Sequence, residues 1–288
     1  MPLSAHFLLL QLLNGLSLGA LFFMVASGFS LIFGLMRVAN LSHGALYLIS
    51  GYIGLTVIRA TGSFLIGIAA AAGAAIALSL IIKEGFLRFV EGRELSQVLL
   101  TVGLAFVIGD LCLAIWGGVP TLIPIPAFLQ GSFDLGIVSY PRYRLFLIGV
   151  GALIAFGLWA LLERTPWGAV IRAGVDDLEM VSALGINIHR VFRLAFLLAA
   201  LLVGLAGVLG GALLGLYPGG DSDILLTSLV VVIVGGLGSL EGALLGSLLA
   251  GFLEAMGKAL LPELAYFILF APMVLILAFR PYGLLGRR

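Results

Sequence analysis

Charge is scarce in this chain. Only 10% of its 288 residues are Asp, Glu, Lys or Arg, and the net charge is +1, so there is no basic field of the kind that holds a nucleic acid. No nucleic-acid partner is expected. Cysteine is nearly absent: the single Cys112 lies in an apolar run, which excludes an intramolecular disulfide and reads as a buried, inert thiol. The only lysines are Lys83 and Lys258, and G-x-x-x-x-G-K-[ST] occurs nowhere, so the chain has no P-loop with which to bind ATP. Energy for any work comes from a partner or an ion gradient. His6, His43 and His189 stand on separate segments with no Cys or carboxylate at ligand spacing, so no metal site is predicted. No nucleophile, base and orienting group can be assembled, and neither cofactor nor enzymatic activity is expected. In VVVIVGGLGSLEG the sixth position of G-x-G-x-x-G, counted from Gly236, is Glu241, and a soluble strand–helix–strand context is missing. Those glycines read as helix packing and a helix break. The start, MPLSAHFLLLQLL, lacks a Lys- or Arg-bearing leader and a cleavage site, so no cleavable signal peptide is expected.

What the chain has is apolar length. It is 62% hydrophobic with 40 glycines and a mean hydropathy of +1.24, which matches closely packed helices in lipid and not a soluble domain. About 20 helical residues cross a hydrocarbon core of about 30 Å. Runs at 7–36, 44–58, 62–82, 98–117, 144–162 and 194–216 meet or approach that length, and 264–280 closes the series with Pro272 inside it as a kink. Residues 224–237 and 243–257 are short and separated by GSLEG at 238–242, the pattern of half-helices or a re-entrant pair. The expected fold is all-α: a single transmembrane domain over 1–288 with eight or nine hydrophobic segments, some broken or re-entrant. Gly15 and Gly19 form a GxxxG step, and Gly207, Gly211 and Gly215 repeat at spacing four, both marks of close helix packing. Residues 83–97 read as a solvated linker, 118–143, with Pro120, Pro124, Pro126 and Pro141, as a long exposed connection, and YPGGDSD at 217–223 as a turn.

One passage breaks the apolar pattern. Residues 163–193 hold Glu163, Arg164, Arg172, Asp176, Asp177, Glu179, Arg190 and Arg193. Thr165-Pro166-Trp167 ends one helix, since proline lacks a donor and disfavours helix at the residue before it. Asp176 followed by Glu179 resembles a capping box, Leu178, Val181 and Leu184 recur at spacing three, and Gly185 suits a helix stop, so a short amphipathic helix is predicted from about 177. Two turns are too short to stand alone and need a partner surface or lipid. With this loop in the cytoplasm, eleven Lys and Arg fall inside (among them Arg37, Lys83, Arg172, Arg287 and Arg288) against Arg59, Arg142, Arg144 and Lys258 outside, which agrees with the positive-inside rule. That threading works with nine crossings and an external N-terminus, or with another number and the other side for that end if one segment is re-entrant; the loop and the C-terminus are cytoplasmic either way. Polar groups inside apolar segments mark pathways, because a charge in hydrocarbon is costly. Asn40, Ser42 and His43 at the first break, Asp110, and Ser239 and Glu241 at the second are therefore the candidates for a translocation route. His43-Gly44-Ala45-Leu46 and Glu241-Gly242-Ala243-Leu244 share a pattern that reads either as a trace of an internal repeat or as a chance match.

The passage VDDLEMVSALGINIHRVFRLAF, together with RVANLSHGALYLISGY, VVVIVGGLGSLEGALLG and the tail RPYGLLG, resembles the permease subunit of branched-chain amino-acid ABC importers, the LivH type. The resemblance covers nearly the whole chain. It implies inward transport of branched-chain or related hydrophobic amino acids across a cell (inner) membrane by alternating access. It also implies partners: ABC ATPase subunits, a second related permease, a periplasmic or extracellular substrate-binding protein, and surrounding lipid. Asp176, Asp177, Leu178, Glu179, Val181, Leu184, Gly185 and Ile186 would form the helix that docks on the ATPase. A permease of the same family for urea or short amides, or an ion-gradient carrier, are the alternatives.

Overall fold

The computed structural model describes residues 4–36, 40–136, 138–280 and 282–286. Eleven α-helices lie within them: α1 (Ala5–Met36), α2 (His43–Thr61), α3 (Phe64–Leu80), α4 (Glu94–Trp116), α5 (Arg142–Arg164), α6 (Pro166–Asp176), α7 (Leu178–Ala183), α8 (Ile188–Leu213), α9 (Gly220–Gly235), α10 (Leu240–Leu260) and α11 (Ala265–Phe279). Seven are long and apolar enough to cross a membrane. At 16 and 15 residues, α9 and α11 are shorter apolar helices. The architecture is the polytopic helical bundle that the composition predicts. A hairpin of β1 (Ser132–Asp134) and β2 (Ser139–Pro141), with Phe133 opposite Tyr140, is the one sheet among the described residues.

The bundle forms around α1. Its sequence is apolar on every side, and a helix without a polar face belongs in an interior: 83% of its membrane window is buried, against 17% for α4 and 22% for α5. Close approach to α10 depends on glycine. A Cβ at Gly15 would come within 2.7 Å of the Phe252 Cα, and Gly251 faces the backbone of Gly15 and Gly19 from the other side. Near the other end of α1, Gly34 meets Gly238, so the two helices run antiparallel. On α8, Gly207 meets the backbone of Tyr47 and Gly51 on α2. Gly15, Gly19 and Gly207 therefore sit at helix contacts, whereas Gly211 meets the Ile123 and Leu216 side chains and Gly215 lies beyond α8 with φ +87°.

Two ends of the bundle are distinct. The polar end carries α6, α7, the Arg193–Glu84 ion pair at 3.0 Å and the turn between α9 and α10. The segment after α11 returns there: the Leu284 and Leu285 amides donate to the Val234 and Gly235 carbonyls at 2.8 and 2.9 Å. Residue 5, the end of α2 and the start of α5 lie at the opposite end. There Trp116 Nε1 donates to Thr56 Oγ1 at 2.8 Å and Arg144 Nη1 to Asn14 Oδ1 at 2.6 Å.

Several boundaries differ from expectation, each for a local reason. The third helix does not stop at Lys83; it widens into a π turn, Ile81–Phe86, and a 3₁₀ turn, Leu87–Phe89. Lys83, Leu87 and Gln97 are buried, so 83–97 is not a simple solvated linker. Residues 117–141 are not merely exposed either: Thr121 and Leu216 exchange backbone hydrogen bonds at 2.9 and 2.8 Å, and Ile123, Val138 and Tyr140 are buried. Prolines rule out helix but leave carbonyls and intervening amides free to pair elsewhere. The predicted turn at 217–223 is half helix, since α9 begins at Gly220 with Asp221 and Asp223 in its first turn, where acidic groups favour a helix start. The second short segment is a continuous 21-residue helix, because Ser239 Oγ accepts from the Gly242 amide and starts α10 at Leu240. Arg37, Arg287 and Arg288, all counted on the inside, lie outside the described residues.

Gly251→Val should lower the thermal midpoint of the detergent-solubilised protein, at an overpacking cost of about 1–3 kcal/mol. Gly149→Ala, where a Cβ meets nothing within 4 Å, should leave that midpoint unchanged.

Candidate functional site: a buried helix break and a surface helix pair

The break between α1 and α2 is enclosed by protein. Asn40, Ser42 and His43 are 3%, 0% and 1% exposed. Asn40 forms the turn: its Oδ1 accepts from the Ser42 amide at 3.2 Å and the Ser42 hydroxyl at 2.6 Å, and its carbonyl accepts from the His43 amide at 3.2 Å. Asparagine favours such turns because its side chain mimics a backbone acceptor. Across the gap, Thr101 Oγ1 on α4 accepts from the Leu41 amide at 3.2 Å. His43 Nε2 lies 3.1 Å from the Val25 carbonyl, mid-way along α1. A carbonyl only accepts, so Nε2 carries a proton, and in the neutral ring Nδ1 is a lone pair.

Unpaired polar atoms run from this break along α2. Asn40 Nδ2, His43 Nδ1, Tyr47 Oη and Ser50 Oγ are all buried without a hydrogen-bond partner among the described residues. Residues 43, 47 and 50 follow helical i, i+4, i+7 spacing, so they lie on one face. Buried polar groups are ordinarily paired, and a run of exceptions calls for an explanation. Sequence reasoning singled out the start of this stripe and missed Tyr47 and Ser50, although the spacing in HGALYLIS shows it.

The other candidates fall elsewhere. Asp110 is exposed on α4, whereas Asn40, Ser42 and His43 are buried. Ser239 caps α10 and Glu241 is exposed in its first turn, both at the polar end. The two similar tetrapeptides thus stand at opposite ends of α9: a Cβ on Gly44 would overlap the Asp221 carbonyl, and one on Gly242 the Gly235 carbonyl.

At the polar end the chain folds into two helices where one was predicted. α5 ends at Arg164 before the proline as expected, but Thr165 then caps a new helix, its Oγ1 accepting from the Gly168 amide at 3.1 Å with Pro166 in the first helical position. Threonine followed by proline at a helix start is a readable signal, so α6 was findable. The next cap is Asp177 and not Asp176: Asp177 Oδ1 accepts from the Met180 amide at 3.0 Å, while Asp176 closes α6. Gly185 ends the turn in a left-handed conformation, φ +79°, where a Cβ is strained. The expected apolar stripe divides. Val181 is 2% exposed, whereas Leu184 is 71% exposed and, with Met180 at 59%, faces outward. Leu184 is the C-cap and has left helical geometry, so spacing three no longer places it beside Val181. The side chains of Asp176, Leu178 and Glu179 lie outside the described residues. Beneath the pair, Leu162, Ile171, Val191 and Phe192 form one buried cluster, joined by Ile186, Leu31 and Leu240. A Glu163–Arg172 ion pair at 3.2 Å is half-exposed and contributes about 0–1 kcal/mol. The result is a small platform seated on α5, α8 and α10 with apolar residues turned outward.

Comparison with known proteins places these features in context. The family model described as branched-chain amino acid transport system / permease component matches residues 11–277. The high-affinity branched-chain amino acid transport system permease protein BraD of Pseudomonas aeruginosa is 30% identical, aligned over 100% of this chain and 98% of its own. The corresponding LivH protein of Escherichia coli is 28% identical over 98% and 96% of the two chains. A solved structure, PsaBC from Streptococcus pneumoniae in complex with Fab, has a chain that superposes with a TM-score of 0.50 at 14% identity, covering 91% of this chain and 87% of that one; the likeness is one of fold.

Asp177→Ala should weaken α7 by about 1 kcal/mol, the usual cost of losing such a cap. Hydrogen exchange of the amides in 178–183 should then speed up about fivefold, with α8 unaffected.

Proposed function

The chain belongs to the family of branched-chain amino acid transport system permease components, and from that premise we propose how its parts work as the membrane subunit of an ABC importer. It is a transport subunit and not an enzyme. The observation that carries the reading is the end-to-end match to a branched-chain permease by a chain that has no nucleotide loop of its own. ATP hydrolysis belongs to separate ATPase subunits, which dock on α6 and α7. A binding protein delivers solute at the opposite end, and a second related permease completes the membrane unit. The polar end, with 163–193 and the segment after α11, is cytoplasmic in this reading, and the membrane is the cell's inner one. The excess of Lys and Arg at that end supports the assignment.

The lever is short and its load path is physical. Met180, Leu184 and the exposed Asp177 meet the ATPase, Val181 anchors α7 inward, and Gly185 turns the chain into α8. A helix of 26 residues transmits a displacement about 39 Å along its axis at 1.5 Å per residue. Gly207 of α8 lies against Tyr47 and Gly51, so a shift of α8 moves the polar stripe on α2. Opening that contact exposes Asn40 Nδ2, His43 Nδ1, Tyr47 Oη and Ser50 Oγ to a passing solute. An amino acid brings both a carboxylate and an ammonium to such groups, and its branched side chain finds apolar walls.

Purified with its ATPase and permease partners in proteoliposomes, the protein should take up labelled leucine, isoleucine or valine only when ATP and the binding protein are supplied. Uptake without any ATPase subunit would falsify the importer reading, and uptake of urea in preference to leucine would reassign the solute. Leu184→Asp should leave membrane insertion and complex assembly measurable but reduce ATP-driven uptake at least tenfold. Asn40→Leu should reduce uptake while ATP hydrolysis by the complex persists. Normal uptake in both variants would show that neither the platform nor the stripe has the assigned role.

A further inference from the structure

A second built site lies at the polar end, apart from the break at 40–43. Where α3 widens into the π turn Ile81–Phe86, it opens a cavity of about 210 Å³ between that turn, the start of α4 and the start of α8. π turns of this kind gather at functional sites, because the extra residue displaces side chains from the regular helical register. Two of the side chains lining the cavity are almost wholly enclosed: Lys83 at 9% and Gln97 at 3% exposure. Lys83 makes no ion pair among the described residues; its ammonium stands 5.9 Å from the Phe196 ring centre. Glu84 and Glu91 line the same cavity and both attract the Lys83 ammonium, although the Glu84 carboxylate is shared, accepting from Arg193 Nε at 3.1 Å and pairing with Nη2 at 3.0 Å. Gln97 donates Nε2 to the Val90 carbonyl at 3.0 Å and leaves Oε1 buried with no donor among the described residues. Arg88 lines the same cavity.

These groups define a complementary ligand. In the lining Lys83, Arg88 and Arg193 outnumber Glu84 and Glu91 by one, an excess of positive charge in an enclosed site that favours an anion, and Gln97 Oε1 asks for a hydroxyl. A phosphate ester that also carries hydroxyl groups meets both demands. The surroundings favour one attached to hydrocarbon, because the large apolar side chains of Phe89, Leu95 and Leu99 are 68%, 73% and 64% exposed on the same turns. Basic pockets at the ends of membrane helices hold anionic headgroups in this way. We propose that the cavity binds the headgroup of an anionic phospholipid, with its phosphate against Lys83 and Arg88, a headgroup hydroxyl donated to Gln97 Oε1, and acyl chains along Leu95 and Leu99. The site stands independently of the transported solute. It ties the start of α8, through Arg193 and Glu84, to the membrane surface.

The test is native mass spectrometry of the full chain in nanodiscs and detergent, titrated with phosphatidylglycerol, phosphatidylcholine and inorganic phosphate. Wild type should retain phosphatidylglycerol about tenfold more strongly than phosphatidylcholine. Lys83→Met and the rim variant Arg88→Gln should each reduce that preference severalfold, whereas Lys83→Arg should keep it. Equal retention of the two lipids, or an unaltered preference in a correctly eluting Arg88→Gln protein, overturns the proposal. Displacement of phosphatidylglycerol by millimolar inorganic phosphate, with equal thermal protection by phosphate alone, would make it a soluble-anion site and overturn the lipid assignment.

Discussion

In hydrocarbon every backbone amide and carbonyl must find its partner inside the protein, and the irregular parts of this chain show how that demand is met. Long helices satisfy it along their own length. The breaks do not, and each recruits help from a distant residue. At the first break the Leu41 amide uses a threonine sixty residues away, and Asn40 supplies a side-chain acceptor for Ser42. At the end of α9, the Val234 and Gly235 carbonyls are met by Leu284 and Leu285. The Pro-rich crossing at 117–141 pairs with the segment after α8. Glycine has the complementary task, because only backbones that approach closely can bring such partners within reach.

Most of the transmembrane plan was legible in the sequence, since length and apolar composition are what decide a crossing. The ends of helices were less so. Lys83 looked like a stop because a lysine at the end of an apolar run usually reaches solvent; here the π turn rotates it inward. Residues 243–257 looked short because Glu241 read as part of a loop, yet a serine cap draws it into α10. α6 was overlooked although Thr165 and Pro166 announce it. The buried stripe was half seen: Asn40, Ser42 and His43 stood out against apolar neighbours, but Tyr47 and Ser50 are common in membrane helices and gain meaning only from their shared face. Burial of Val181 and exposure of Leu184 was not available from spacing, which assumes a helix that has not yet ended.

The two candidate regions are joined by α8. Its first residues follow the surface platform, and its glycine face meets α2 beside the polar stripe. Close backbone packing of this kind leaves little room for compliant side chains, so the motion of α2 against α8 that the proposal requires would be sliding or separation rather than local yielding. In the proposed mechanism the unpaired polar atoms on α2 are a cost carried by the closed arrangement, and they would lower the work of opening it toward a polar solute.

The pairing of Leu284 and Leu285 with α9 also orders events in time. The carbonyls they meet, at Val234 and Gly235, are made about fifty residues earlier, which at about 5–20 residues per second is a wait on the order of 3–10 s. Throughout that interval the α9–α10 turn has exposed acceptors and no partner. This contact is therefore among the last to close, at the end of the bundle that carries α6 and α7, and it closes only after α11 has been made.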